Sequence, residues 1–197
     1  MKIIYQYKKR AIWISYGSFI FLMYFLSACN EHPTSSKNKS LSSDVDNSYV
    51  KSSVEFDSSF ITTAAKVNLE QIQLGQLAQI KGNMQQVKDL GKHIEQDDIA
   101  ILKEIQLFAG KKQITLPASL SGDGQAFYSN IISKEGDEFD KAYLNKVLDE
   151  YNTAIKKYES MSKNALDKEI SRWVNLKLPI LKMHLDSALA FQTVLLK

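Results

Sequence analysis

Four polar side chains stand where helical spacing would bury them, and together they suit one of two kinds of chemistry. Gln71, Asp98, Tyr151 and His184 each interrupt a run of apolar residues recurring every three or four positions. At about 100° per residue, Gln71, Asp98 and Tyr151 fall in the middle of their apolar faces, and His184 falls about 60° from the centre of its own. Groups so placed either close a hydrogen-bonded cluster or hold a metal ion between helices. A buried polar group without a partner costs a few kcal/mol, and an Asp98–His184 pair would meet that need. The metal alternative is the chemistry of carboxylate-bridged di-iron bundles. The cluster is the preferred reading, because an amide is a poor ligand and no Glu-x-x-His pair occurs in the chain. No cofactor is therefore expected. If a metal is held, weakly, it is iron, manganese or zinc, and His184 and Asp98 hold it.

The remaining candidates read as structural. His93 lies off its apolar face and is expected in solvent, and Asp97 is expected to be exposed, because neighbours on a helix point about 100° apart. Trp173 is expected to anchor the edge of the core. No Ser-His-Asp, Walker, GxGxxG, HExxH or CxxC signature appears, so nucleophilic, phosphoryl-transfer and dinucleotide chemistry have no support. An enzyme is not the expected reading.

The elements that must position those four residues are helices. Asp57-Ser58-Ser59 offers N-cap chemistry for a first helix with Phe60, Ala64, Val67, Leu74 and Ala78 inward, ended by Gly82-Asn83. A second carries Val87, Leu90, Ile94, Ile101, Ile105 and Phe108, with Gly110 expected at its C′ position. Leu116-Pro117 and Ser121-Gly122-Asp123-Gly124 mark a crossover holding a short helix around Phe127 to Ile132. A third long helix is expected from an N-cap at Asp137, and a fourth from Asn164 with Asp167 at its third position; Pro179 interrupts the fourth. The fold class that follows is all-α: a four-helix bundle, ferritin-like, with an extra short helix between helices two and three.

The beginning of the chain points to a membrane. Residues 1–28 read as a lipoprotein signal peptide: a basic start from Lys2 to Arg10, an apolar run from Ala11 to Phe25, then Leu26-Ser27-Ala28-Cys29. That tetrapeptide resembles the lipobox of bacterial lipoproteins, whose cysteine takes diacylglycerol and becomes the new N-terminus. Lipidation accounts for the lone Cys29, which has no disulfide partner. An uncleaved membrane anchor is the competing reading, since the apolar run nearly reaches the ~20 residues of a span. Residues 29–56, rich in Ser, Asn, Lys and Asp and including His32, are expected to form a flexible tether, leaving 57–197 as the folded domain. The formal charge of +3 belongs to the signal segment: without Lys2, Lys8, Lys9 and Arg10, 21 bases (25 − 4) face 22 acids. No nucleic-acid partner is implied.

Taken together, Phe60…Ala64…Leu74-Gly75-Gln76-Leu77-Ala78, Leu116-Pro117, Phe139-Asp140-Lys141-Ala142-Tyr143-Leu144 and Leu178-Pro179-Ile180-Leu181-Lys182-Met183-His184-Leu185 resemble a bacterial family. It is the ferritin-like domain-of-unknown-function family 4142, whose members are described as outer membrane proteins. The resemblance spans about Phe60 to Phe191. It implies a family site of one carboxylate and three imidazoles, which would favour a transition metal. At the matching positions this chain has Gln71, Asp98 and Tyr151, and only His184 is retained, so weak metal binding or none is expected. The expectation is a lipid-anchored outer-membrane module, facing the periplasm or the cell surface, whose membrane partner is reached through acylated Cys29. A metal- or oxidant-handling protein and a small-molecule sensor with a pocket near Pro179 are the alternatives.

Overall fold

A computed structural model describes residues 41–196. Among them are five helices and no strand: α1 Leu41–Lys81, α2 Gln85–Lys112, α3 Gly122–Ile131, α4 Gly136–Asn164 and α5 Lys168–Leu195. The expected signal peptide, Cys29 and His32 lie outside the described residues. Among those described, no helix is long and apolar enough to cross a membrane.

Short turns at residues 82–84 and 165–167 fold the four long helices into two hairpins, α1–α2 and α4–α5. α1 lies against α4 and α2 against α5, so the hairpins close a four-helix bundle, with α3 in the longer α2–α4 connection. The core is the one the spacing predicts: Phe60, Ala64, Leu74 and Ala78 of α1 meet Val87, Leu90, Ile94, Ile101 and Ile105 of α2. Opposite them are Leu144, Val147, Ile155, Ile170, Val174, Leu181 and Ala188. Trp173 is buried deeper than its expected place at the core's edge; its ring packs against Phe60, Phe108 and Tyr158, and its Nε1 donates to Glu104 at 2.5 Å.

Helix boundaries differ from expectation in instructive ways. α1 starts at Leu41, so residues 41–56, assigned above to the tether, are helical and Asp57 lies inside α1 rather than at its N-cap. Extending a helix adds one bond per residue fixed, which makes growth outward from the packed part cheap. α5 is capped by Asp167, whose Oδ1 accepts from the amides of Glu169 and Ile170, whereas Asn164 ends α4. α4 begins one residue before Asp137, without a side-chain cap. α2 runs through Gly110, and the left-handed residue that ends it is Gln113 (φ 57°). The short crossover helix starts at Gly122, with Ser121 as its cap accepting from Gly124.

Each hairpin turn is held by a buried aspartate from the other hairpin. Asp140 of α4 accepts from the amides of Asn83 (2.9 Å) and Met84 (2.7 Å), and Asp57 of α1 accepts from Leu166 (3.3 Å) and Asp167 (2.9 Å). The two clasps are related by one shift of 83 positions (140 − 57 = 166 − 83 = 167 − 84). The same shift carries Phe60 onto Tyr143, Ala64 onto Val147, Val87 onto Ile170 and Leu90 onto Trp173, all buried. The bundle is thus an internal repeat of one hairpin, and each copy completes the hydrogen bonding of the other's turn.

Candidate functional site

Three helices contribute to one hydrogen-bonded chain through the core. Tyr151 projects from α4, His184 from α5, and Asp97 and Asp98 from α2. The Tyr151 hydroxyl lies 3.2 Å from Asp98 Oδ2 and 3.0 Å from His184 Nδ1, and His184 Nε2 lies 3.0 Å from Asp97 Oδ2. The imidazole and phenol rings meet edge to face, 5.3 Å apart. Asp98, Tyr151 and His184 are buried, while the Asp97 side chain is 37% exposed, so the chain runs from the interior to the surface between α2 and α5.

Burial fixes the direction of the protons. It raises the Asp98 carboxyl well above its usual range, helped by the charges of Asp97 and Glu150 and opposed by the Tyr151 hydrogen bond. Burial also lowers His184, against the pull of Asp97, and raises Tyr151 well above its usual range. Burial thus disfavours the charged form of all three interior members. A neutral imidazole has one N–H, and the half-exposed Asp97 carboxylate accepts it from Nε2. With Asp98 ionised, the Tyr151 hydroxyl donates to Asp98 Oδ2; with the proton on Asp98, the hydroxyl accepts from it and donates to His184 Nδ1. In the protonated arrangement every member donates once along Asp98→Tyr151→His184→Asp97, and no donor is left over.

The two shifted groups pull stability in opposite directions with pH. A carboxyl raised above 3.8 in the fold stabilises at low pH, and that contribution is lost as pH climbs from 3.8 to its folded value. An imidazole lowered below 6.5 stabilises at high pH, and its contribution is lost as pH falls below 6.5. Where these two windows overlap the slopes oppose one another. Asp98→Asn removes one of them, so this variant is expected to lose up to about 1.4 kcal/mol per pH unit relative to wild type as pH falls from the folded Asp98 value toward 3.8. Urea denaturation of both proteins at pH 5 and 7 measures it; parallel profiles would count against neutral, buried Asp98.

Sequence reasoning placed Gln71, Asp98, Tyr151 and His184 inside, and all four are buried. It is in their partners that the structure differs. The expected direct Asp98–His184 bond is absent, because the Tyr151 hydroxyl stands between them. Gln71 does not join the chain: its Nε2 donates to Glu150, which pairs with Lys146 at 2.5 Å, while its Oε1 has no partner. Asp97, expected only to face solvent, holds the outer end of His184. The 100° between Asp97 and Asp98 does not separate them functionally, since each reaches a different end of the phenol–imidazole pair. Asn68 and Glu70, buried in α1, were missed as well; Glu70 accepts from Ser121 at 2.7 Å. His93 is exposed, as read. Beside the chain, between α1 and α4, is a cavity of about 30 Å³ lined by Phe60, Asn68, Asp98, Tyr151, Tyr158 and Leu181 among others.

A metal does not fit this donor set. Both imidazole nitrogens of His184 are engaged, the Gln71 amide is held by Glu150, and Asp98 reaches the histidine only through a phenol. Among the described residues no group of three or more His, Cys, Asp or Glu converges as a metal site requires.

The model of the family described as "Domain of unknown function (DUF4142)" matches residues 44–191. No curated protein matches the chain. Among solved structures, CopM in the Cu(I)-bound form is similar at a TM-score of 0.60 and 14% identity, over 70% of this chain and 95% of that one. At that identity the likeness bears on the helical fold alone.

Proposed function

The chain belongs to the DUF4142 family, and from that premise we propose that it is a non-enzymatic helical module of the bacterial envelope, tethered by a lipid on Cys29. In this reading it serves as a binding or structural element at the outer membrane, facing the periplasm or the cell surface, with the Asp98–Tyr151–His184–Asp97 chain fixing the register of α2, α4 and α5. The observation that supports the non-catalytic part is the continuity of that chain: Tyr151 and His184 are each held by a neighbour on both sides, and both imidazole nitrogens are engaged. The anchoring part is supported by the sequence Leu26-Ser27-Ala28-Cys29 and by the apolar run before it.

CopM was solved with Cu(I), which supplies a second reading in which this chain handles a metal through His184 and Asp98. One preparation tests both. Mass spectrometry of full-length protein expressed in a bacterial envelope is expected to show an N-terminal acylated Cys29, and elemental analysis no stoichiometric copper, iron, manganese or zinc. An unprocessed N-terminus would refute the tether. Stoichiometric metal that His184→Ala abolishes would establish the second reading in place of the first.

A further inference from the structure

α5 carries an apolar strip that the rest of the bundle leaves largely uncovered. Leu176, Ile180, Met183, Ser187, Ala190 and Val194 recur at alternating intervals of four and three, so at about 100° per residue they share one side of the helix. Leu176 is 71% exposed, Met183 51% and Val194 54%. The Ser187 hydroxyl is turned back onto the Met183 carbonyl at 2.8 Å. The fold itself does not require this strip to be apolar. The shift of 83 positions that relates the hairpins (176 − 93 = 194 − 111 = 83) sets His93, Asp97, Glu104 and Lys111 of α2 where Leu176, Ile180, Ser187 and Val194 stand in α5. Only Ala100 and Leu107 keep the apolar character of the strip in that copy. An apolar strip that the sister helix does without marks a surface for a partner.

The charges along its edge say which partner. Lys177 and Lys182 are already paired, with Glu104 and Glu159. Arg172 and Asp186 are exposed and form no ion pair among the described residues. They stand seven residues before and seven after Pro179 (179 − 172 = 186 − 179 = 7), and a spacing of seven keeps them on one edge of the strip. We propose that the strip pairs with a second copy of this chain, as a two-fold antiparallel dimer through α5 centred on Pro179. Crossed this way, each copy's Arg172 meets the other's Asp186, Leu176 of one lies against Met183 of the other, and the two Ile180 side chains meet near the axis. The surface is thus its own complement, as a two-fold interface requires. A parallel pair would instead set arginine against arginine and aspartate against aspartate. The inference goes beyond the anchored-module reading and does not depend on the lipid on Cys29.

Sedimentation equilibrium of full-length protein in density-matched detergent tests it. Wild type is expected to dimerise with a Kd on the order of 10 µM, in keeping with an interface built on one helix face. Met183→Glu, which sets a charge in the strip, is expected to raise Kd about a hundredfold. Arg172→Glu and Asp186→Lys are each expected to raise it about tenfold, and the two together to return it to within about twofold of wild type, because the pairs re-form with their signs exchanged. All three side chains are exposed, so circular dichroism should show an unchanged helix content in every variant. A wild type that keeps a single-copy mass at about 100 µM, a dimer that survives Met183→Glu, or charge reversals that add rather than cancel would overturn the proposal. A single-copy mass beside an acylated Cys29 would remove the pairing and leave the anchored module standing.

Discussion

Asp140→Ala is expected to destabilise the protein by about 4 kcal/mol, measured as the loss of unfolding free energy in urea. Asp140 is fully buried at the start of α4, and its two oxygens take the amides of Asn83 and Met84, where α1 turns into α2. Bonds from amides to a carboxylate are each about twice as strong as neutral ones, and truncation strands both donors beside a void. Asp140→Asn keeps one acceptor and should lose about half as much. Asp57→Ala, at the equivalent position of the repeat, should cost less than Asp140→Ala, because one of its bonds is 3.3 Å long and Asp57 is not fully enclosed. A loss below about 1 kcal/mol for Asp140→Ala would mean that the clasps do not hold the hairpins in register.

Gly91→Ala is expected to cost about 3 kcal/mol, an unusually large effect for one added methyl group. α1 and α2 cross where Gly75 faces Gly91. A Cβ on Gly91 would lie 2.7 Å from both the Gly75 carbonyl oxygen and Ala78 Cβ, and a Cβ on Gly75 would lie 2.5 Å from the Gly91 carbonyl oxygen. These obstacles are backbone and a first side-chain carbon, so no flexible chain end can move aside and the helices themselves must part. Alanine normally favours a helix over glycine by about 1 kcal/mol, so a destabilised Gly91→Ala would mark packing overriding propensity. A stabilised variant would show that the two backbones are not in contact. Gly110, with open space where an added methyl group would stand, supplies the control: Gly110→Ala should be neutral or stabilising.

Much of this architecture was legible from spacing alone, because a buried stripe at intervals of three and four survives any detail of packing. Val87, Leu90, Ile94, Ile101 and Ile105 lie inward as their rhythm requires. So do the polar residues embedded in those stripes, since position on a helix face is a local property. Partners are not local. That Tyr151 stands between Asp98 and His184, and that Gln71 turns to Glu150, depends on how far each helix slides along its neighbours, which no single-helix pattern records. Asp97 shows the limit most plainly. Viewed on α2 alone it points away from Asp98, yet α5 places His184 where both carboxylates can serve the same aromatic pair. The clasps were hidden for the same reason: Asp57 and Asp140 look like residues that cap their own helices, and each caps the turn of the other hairpin. The repeat relating them is not visible in the sequence because its signal lies in burial rather than in identity, with Asn68 and Ile101 in the first half where Tyr151 and His184 stand in the second. Tyr151 and His184 thus occupy, in the second hairpin, the positions that Asn68 and Ile101 of the cavity lining hold in the first.

Nitrogen-15 NMR of the His184 imidazole at pH 7 bears most directly on the interior chain, because nitrogen shifts separate the two neutral tautomers from the cation. A neutral ring protonated on Nε2, with Nδ1 accepting, is the predicted spectrum, and in Tyr151→Phe the Nδ1 signal should move toward that of a free acceptor. An imidazolium, or a ring carrying its proton on Nδ1, would contradict the Asp98→Tyr151→His184→Asp97 order of donors and with it the claim that burial disfavours the charged forms.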